Sequence, residues 1–276
     1  KQEFELMEQQ EHVEEVWLGI KPQIKRYIDQ YLDTILCEGT TESKLRNYLS
    51  MWEYLIDSNR PIKEKYEKLF EEEIMDEYEG DLDSFKGVIL KKECEVIRKT
   101  WNSKSEALKD WKIEFNRSKP SELYDTFFNF LEYGRDYEKK TDEDRMGKID
   151  TFDEIGLKDM RGEYNCFLVG VIGTGIVSNI LNHMYPRVFP GNFKIGMFTL
   201  YLLTNNSRFG MASNTSEFLM IKDDIKSNTG TIEAEHNYYY PYHVFALLTL
   251  RLFRMLKENI NGRLSIEVDA CYRYLL

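Results

Sequence analysis

Residues 22–35, with the sequence PQIKRYIDQYLDTI, carry apolar and aromatic side chains at spacings of three and four positions. This period is typical of an amphipathic helix, and Pro22 is suited to the first turn of such a helix. The same period returns in residues 45–56 and in residues 62–78, where Pro61 precedes the pattern. The alternation that is typical of strands does not appear in this part of the chain. It is therefore predicted to be a series of packed helices.

The C-terminal part of the chain adds two helical patterns and one strand signal. Residues 193–203 and 241–257 fit helices, whereas residues 217–221 and 231–236 flank a polar turn that is typical of a small β-hairpin. The run 164–171 is too short to separate a strand from a helix. The predicted fold class is mainly α, with a helical N-terminal region and a C-terminal α-rich region that contains a small β-hairpin.

Charge is distributed unevenly along the chain. Residues 161–276 hold 11 Lys and Arg against 9 Asp and Glu, whereas residues 1–160 hold 26 against 39. Residues 134–160 are dense in charge and poor in large aliphatic side chains, which is typical of a solvated connector. We therefore predict an acidic helical region at 1–133, a charged connector at 134–160 and a nearly neutral region at 161–276. The net charge of −11 argues against a uniformly basic nucleic-acid-binding protein.

Cysteine content and apolar runs give the expected compartment. The four cysteines are far apart in sequence, which supports neither a disulfide scaffold nor a zinc knuckle and fits a reducing environment. The most apolar stretch, residues 166–181, is 16 residues long, whereas a bilayer requires roughly 18–20. The N-terminal residues are too acidic for a signal peptide. We expect a soluble, cytoplasmic protein without a membrane partner.

Residues 170–193, GVIGTGIVSNILNHMYPRVFPGNF, contain the most informative motif. Three glycines precede a helical pattern, and the free amides at the start of such a helix suit a phosphate. An alternative is that the glycines only permit a tight turn and close helix packing. A dinucleotide-binding fold is a third possibility, but the order here is G-x-x-G-x-G and no acidic residue occurs between positions 176 and 200.

The sequence VIGTGIVSNIL followed by YPRVFP resembles the helix-hairpin-helix segment of the DNA-glycosylase-like superfamily. It is most similar to the non-catalytic relatives found in bacterial restriction and phage-defence proteins. In that family the hairpin presents backbone amides to a DNA phosphate. The resemblance implies that Gly173 is the second hairpin glycine, while Val171 replaces the first. Asn192 stands where the family has the acid that supports base excision, so the resemblance implies binding without that chemistry.

The candidate nucleic-acid-binding residues combine the glycine motif with nearby cations. Arg251 and Arg254 are three positions apart and share a helix face. Two other interpretations of this pair remain open: an ordinary solvated face, or an ion pair with the acidic helices of the N-terminal region. The full candidate set is Gly173, Thr174, Gly175, Ser178, Lys194, Arg251 and Arg254.

Catalytic and metal-binding patterns are weak in this sequence. Glu233, Glu235, His236 and His243 are the best candidates for a metal site, but their spacing matches no helical or strand motif for zinc. We therefore predict no catalytic residues, no metal and no cofactor. The tyrosine-rich run 238–242 is interpreted as interior packing, with a protein interface and nucleobase stacking as alternatives.

The leading functional hypothesis is a non-enzymatic subunit of a bacterial nucleic-acid-associated assembly. Its C-terminal region would contact a nucleic-acid backbone or another subunit, and the resemblance alone implies a role in phage defence. The expected partners are other protein subunits and DNA. One alternative is an acidic interaction or inhibitory protein that binds a basic protein. Another is a divergent glycosylase-like enzyme, for which Asp223 or Glu217 would supply the acid.

Overall fold

A computed structural model describes residues 2–36, 41–205, 209–211, 216–221 and 234–264 of the chain. The structure is mainly helical, which confirms the predicted class. Its α-helices are α1 (Gln2–Met7), α2 (Gln10–Leu36), α3 (Thr41–Phe70), α4 (Glu72–Glu79), α5 (Leu82–Ser84), α6 (Glu95–Asn102), α7 (Lys109–Arg117), α8 (Pro120–Lys140), α9 (Glu143–Lys148), α10 (Phe152–Ile155), α11 (Thr174–Met184), α12 (Lys194–Leu203) and α13 (Tyr242–Leu264).

Shorter elements complete the described chain. A π-helix spans Phe85–Glu93, and 3₁₀ helices span Glu106–Leu108 and Leu157–Met160. The strands β1 (Leu219–Ile221) and β2 (Ala234–His236) pair antiparallel, with Leu219 opposite His236. The polar segment between these strands, which sequence analysis interpreted as a hairpin turn, lies outside the described residues.

The two prolines that were predicted to begin helices lie inside them instead. Pro22 is within α2 and Pro61 is within α3. A proline removes one backbone hydrogen bond from the helix interior. In α2 the apolar stripe nevertheless continues on both sides of the proline, and its residues Val13, Ile20 and Ile24 are buried. Burial of this stripe offsets the local cost, so the helix extends far upstream of the proline.

The chain forms two compact units that interleave in sequence. The first comprises Lys1–Glu53, Ile149–Gly156 and Asn192–Leu276, and the second comprises Tyr54–Lys148 and Leu157–Gly191. The boundaries of these units therefore differ from those of the regions predicted from charge, because each unit combines segments that are distant in sequence. None of the described helices combines the length and apolar character needed to cross a bilayer.

In the first unit, α13 packs against α2 and α10, and α12 packs against α2 and both strands. The buried face of α13 includes Phe245 and Leu248, and that of α12 includes Met197 and Leu200. These apolar faces form part of the core of the unit.

Aromatic rings fill the core of the second unit. The rings of Phe127 and Phe130 are 4.8 Å apart, and Phe127 also lies 5.4 Å from Phe70 and 5.7 Å from Phe85. Tyr124 packs edge-on against Phe85 at 5.5 Å. Such tilted and edge-to-face contacts are the favoured aromatic geometries. The aromatic spacing in this part of the sequence therefore reflects core packing.

The segment 134–160, predicted as a solvated connector, instead contains several buried side chains. Its first residues complete α8, where Tyr137 is buried. Phe152 and Ile155 are buried in α10, which packs against α13. The few apolar residues of this segment are therefore anchored, although most of its charged residues are exposed. The high proportion of charged residues in this segment hid these buried apolar residues, because they occur singly and are separated by polar residues.

Candidate nucleic-acid interface

A tight turn at residues 168–172 leads directly into α11. The amide of Leu168 donates to the carbonyl of Ile172 at 3.0 Å, and the amide of Ile172 donates back at 2.8 Å. Gly170 adopts φ 78°, a left-handed conformation that glycine reaches without steric cost. Val169 at the tip is 97% exposed. The turn therefore has a fixed backbone and an apolar side chain in solvent.

The N-terminus of α11 is open to solvent. Gly173 is its N-cap residue, without a side-chain cap, and the first turn carries no acidic residue. Gly173 and Gly175 are exposed, and a Cβ placed on either would meet no atom within 4 Å. The first amides of a helix lack partners within it and lie at the positive end of its dipole. This end of α11 therefore presents donors that suit an anion.

Trp111 of α7 fixes the position of this turn. Its indole Nε1 donates a hydrogen bond of 2.6 Å to the carbonyl of Val171. The same indole stacks on Phe115, with ring centroids 5.2 Å apart. The α11 terminus is thereby joined to an aromatic surface on α7, and both lie in the second unit.

This surface continues into what we term the aromatic–lysine cluster, formed by Lys91, Trp101, Trp111 and Phe115. The ammonium of Lys91 lies 3.5 Å from the centroid of the Trp101 ring, and Trp101 lies 5.9 Å from Phe115. Lys91 belongs to the π-helix, a rare element that occurs frequently at functional sites. Burial and the charge of Lys91 lower the pKa of Lys86 from its usual value. Lys91 and Lys86 thus lie over two rings of the cluster, Trp101 and Phe115 respectively.

The sequence around the cluster is basic within an otherwise acidic half of the chain. Residues 86–119 hold ten Lys and Arg against five Asp and Glu. Four of those acids form ion pairs, for example Glu95 with Lys99 at 3.0 Å. Lys92 and Lys104 are exposed and form no ion pair within the described chain. These two lysines are therefore free to meet an external anion.

The structure departs from a helix-hairpin-helix in the element before the turn. The helical pattern that follows the glycines is present as α11, and the Asn182 side chain near its end donates a 2.8 Å hydrogen bond to the carbonyl of Phe189. Residues 161–172, however, form turns and an isolated β-bridge between Leu168 and Ile172 rather than a helix. The glycine segment therefore joins a β-turn to a helix.

The first five predicted site residues fall into three environments. Gly173, Thr174 and Gly175 lie at the α11 terminus, where Thr174 is half-buried. Ser178 belongs to the same helix but is fully buried, so a phosphate cannot reach its hydroxyl. Lys194 belongs to the other unit, is exposed, and has its ammonium 5.5 Å from the ring centroid of Phe198.

Arg251 and Arg254 are committed to contacts inside the first unit. Arg251 is 6% exposed and forms two hydrogen bonds to the Glu14 carboxylate, at 2.6 and 3.0 Å. Hydrogen bonding to Arg251 is the largest of the effects that lower the pKa of the Glu14 carboxyl group from its ordinary value. Arg254 donates to the carbonyl of Ile149 at 2.5 Å. The ion pair with an N-terminal acidic helix, one of the interpretations left open by the sequence, is therefore present for Arg251.

The acid considered for a glycosylase reaction is enclosed in protein. Glu217 is fully buried and its Oε1 is hydrogen-bonded to Nε2 of His12, also buried. Burial raises the pKa of Glu217 above its ordinary value, and the bond to His12 partly opposes this. The Glu217 Oε2 and Tyr240 hydroxyl atoms have no hydrogen-bond partner among the described residues. Asp223, the other candidate acid, lies outside the described residues.

The candidate metal-binding residues lie partly outside the described residues. Within the described ranges, no group of three or more His, Cys, Asp and Glu side chains could hold a metal ion. Glu233 lies outside those ranges, as does the side chain of Glu235. Of the two histidines considered with them, His243 is buried and its ring lies 5.4 Å from Phe152.

Comparison with known proteins gave no match to a family model, to a curated protein or to a solved structure. The assignment of a site therefore depends on the geometry of this chain.

Sequence analysis missed Trp101, Trp111 and the exposed lysines of the second unit. Their signal was the basic segment 86–119 and the two tryptophans that it contains. This basic segment is hidden in the net charge of residues 1–160, because the acidic helices on either side of it outweigh its ten cations.

Proposed function

We propose that the chain is a non-enzymatic subunit of a nucleic-acid-associated assembly and that the N-terminus of α11 contacts the nucleic-acid backbone. The open, uncapped start of α11 is the observation that carries this proposal. Amides at a helix start bind phosphate through hydrogen bonds and the helix dipole. The bacterial phage-defence context rests on the sequence resemblance alone.

Exposed lysines in the second unit also support a polyanion as the ligand. The exposed Lys92 and Lys104 add cations to the unit that contains α11, and neither forms an ion pair within the described chain. Local basic charge of this kind provides the salt-dependent part of nucleic-acid binding. The candidate phosphate contacts are therefore the amides at Thr174 and Gly175, together with these lysines. Arg251 and Arg254 serve the fold of the first unit in this proposal.

Gly173→Asp tests the proposal without weakening the helix. Aspartate is a favoured N-cap residue, so we expect the melting temperature to stay constant or rise slightly. Its carboxylate would occupy the phosphate position. Because one charge-assisted hydrogen bond contributes about 1.5–3 kcal/mol, we expect the affinity for DNA to fall by about 10- to 100-fold. Fluorescence polarisation with labelled DNA across a salt series measures this change on the whole chain, since both units are discontinuous in sequence.

Gly162→Asp is the matched control, because Gly162 is exposed in the same unit and a Cβ there would meet no atom within 4 Å. This variant adds the same charge away from the α11 cap and should retain affinity. Equal losses for both variants would attribute the effect to net charge. The absence of binding by the unmodified chain at low salt would overturn the proposal.

A second candidate function is the binding of a basic protein. Residues 71–83 contain eight acidic side chains, all of them exposed. Within the described chain only Glu72 among them forms an ion pair, with Arg135. Exposed charge of one sign attracts an oppositely charged partner through long-range steering. This segment would be the contact surface of an acidic interaction protein.

Polylysine provides the probe for this second function. If the acidic segment is the contact surface, Glu73→Gln with Glu77→Gln should weaken polylysine binding and reduce its dependence on salt. Glu132→Gln with Glu163→Gln removes the same charge from exposed positions outside the segment. Isothermal titration that shows equal affinity for both double variants would exclude a localised acidic surface.

A further inference from the structure

We infer that the ligand of the second unit is single-stranded nucleic acid, whose bases stack on the aromatic–lysine cluster while its phosphates meet Lys92 and Lys104. This inference rests on the proposed function and adds the class of nucleic acid to it. Unpaired bases expose both faces to protein side chains, whereas those of a duplex are already stacked on each other.

The arrangement of the indole rings carries the first part of the inference. Trp101 and Trp111 are both half-buried, and both pack against the buried ring of Phe115. Phe115 is thus the inner support of the cluster, while each indole retains solvent-accessible surface. Trp111 has Phe115 as its one stacking partner among the described aromatic rings. Indoles held in this way form a platform for a base, which stacks on any aromatic face regardless of its identity.

The distribution of charge carries the second part. Lys91 already lies over the Trp101 ring, where it forms a cation–π contact. Lys92 lies in the π-helix that precedes α6, and Lys104 lies in the segment that follows α6; both are exposed without an ion pair in the described chain. Aromatic rings interleaved with free cations are the combination by which proteins hold single strands without sequence preference.

The position of the turn carries the third part. The bond from Trp111 to Val171 places the cluster beside the residue two positions before the α11 cap. Val169, at the same turn, exposes 97% of its surface. A strand whose phosphate meets the α11 amides would therefore have its adjacent bases next to apolar and aromatic side chains. A base-paired duplex would present its sugar–phosphate backbone to them instead.

The test compares oligothymidylate of about 16 nucleotides with a duplex of the same length, using the whole chain. We expect the single strand to bind more tightly and to quench tryptophan emission. Trp101→Leu should weaken binding of the single strand about tenfold, because loss of one stacking contact has an effect of this order. It should leave duplex affinity unchanged. Trp101→Phe, which keeps an aromatic ring, should restore most of the affinity.

Lysine variants provide a second test of single-strand binding. Because the substituted side chains are exposed, these variants should fold like the unmodified chain. Lys92→Gln with Lys104→Gln should weaken single-strand binding and reduce the slope of log affinity against log salt by about 1–2. Lys139→Gln with Lys148→Gln is the matched control, since both lysines are exposed in the same unit and form no ion pair in the described residues. The control should retain the affinity and the slope of the unmodified chain.

The outcomes separate this inference from the proposed function. Equal affinity for single strand and duplex, with Gly173→Asp weakening both and Trp101→Leu weakening neither, would overturn the inference and retain the proposed function. Equal losses in the two lysine double variants would also overturn it. The absence of binding to either oligonucleotide would overturn both proposals.

Discussion

Replacement of Glu217 by alanine is expected to lower the free energy of unfolding by about 3 kcal/mol. The side chain of Glu217 is fully buried, and its Oε1 is hydrogen-bonded to Nε2 of His12, which is also buried. The substitution leaves the imidazole without its partner and creates a cavity where the carboxyl group was. Both effects act in the native state, so chemical denaturation at neutral pH should show a lower midpoint with a similar slope.

The paired replacement of His12 and Glu217 by leucine separates these causes. Replacing both polar partners by apolar groups of similar size is often nearly neutral. We therefore expect the double variant to recover most of the stability that Glu217→Ala loses. If the double variant is as unstable as the single one, the interaction between the two side chains is not the source of the effect.

The same carboxyl group makes stability dependent on pH. Burial raises the pKa of Glu217 above 4.5, the ordinary value for glutamate, while His12 lowers it and the neighbouring charge of Glu15 raises it. Tyr240 also faces this group, and burial, together with the Glu217 charge, raises the pKa of its phenol. Because the folded state holds the Glu217 proton more tightly than the unfolded state, this group's contribution falls as pH rises from 4.5 through the raised value.

Glu217→Gln should remove this contribution. The free energy of unfolding of the variant, measured by denaturation from mildly acidic to neutral pH, should decline less with rising pH than that of the unmodified chain. Parallel curves for the two proteins would show that Glu217 does not titrate differently in the folded and unfolded states.

Gly134→Ala is expected to destabilise the second unit although it lies within α8. A Cβ at this position would be 2.5 Å from Cδ2 of Leu181 and 3.2 Å from Cε2 of Tyr185. Leu181 is fully buried, so the added methyl group would displace a packed core side chain. Overpacking of this kind costs about 1–3 kcal/mol, which exceeds the gain of about 0.5–1 kcal/mol from replacing glycine in a helix. Thermal unfolding should show a lower melting temperature.

Gly147→Ala is the matched control for this effect. Gly147 also lies in a helix, α9, but a Cβ there would meet no atom within 4 Å. The helix gain of roughly 0.5–1 kcal/mol should therefore appear without an opposing clash. We expect the two alanine variants to change stability in opposite directions. A stabilising Gly134→Ala would mean that Leu181 and Tyr185 can rearrange to accept the methyl group.

Local sequence patterns were sufficient to predict the helical class and the positions of the C-terminal helices. The pattern in residues 193–203 became α12, and the pattern in residues 241–257 became α13, which extends to Leu264. These predictions succeed because helical periodicity is a property of neighbouring residues. Helix boundaries were less predictable, since burial of the α2 stripe extended that helix beyond Pro22.

The environment of individual charged and polar residues required the tertiary structure. Arg251 has the same spacing to Arg254 whether it faces solvent or protein, and only the fold pairs it with Glu14, 237 positions away. Trp111 gave no sequence signal for its bond to Val171, 60 positions away. Ser178 belongs to the same motif as the exposed glycines, yet it lies on the buried face of α11.

The sequence by itself determined that this chain is mainly helical and that a glycine-rich turn precedes α11, because 3.6-residue periodicity and glycine conformation are local properties. The tertiary structure decided which residues near that turn are exposed. It buried Arg251 and Ser178 and placed the aromatic–lysine cluster beside the turn. The physical reason is that burial and long-range hydrogen bonds depend on how distant segments pack, which no local pattern specifies.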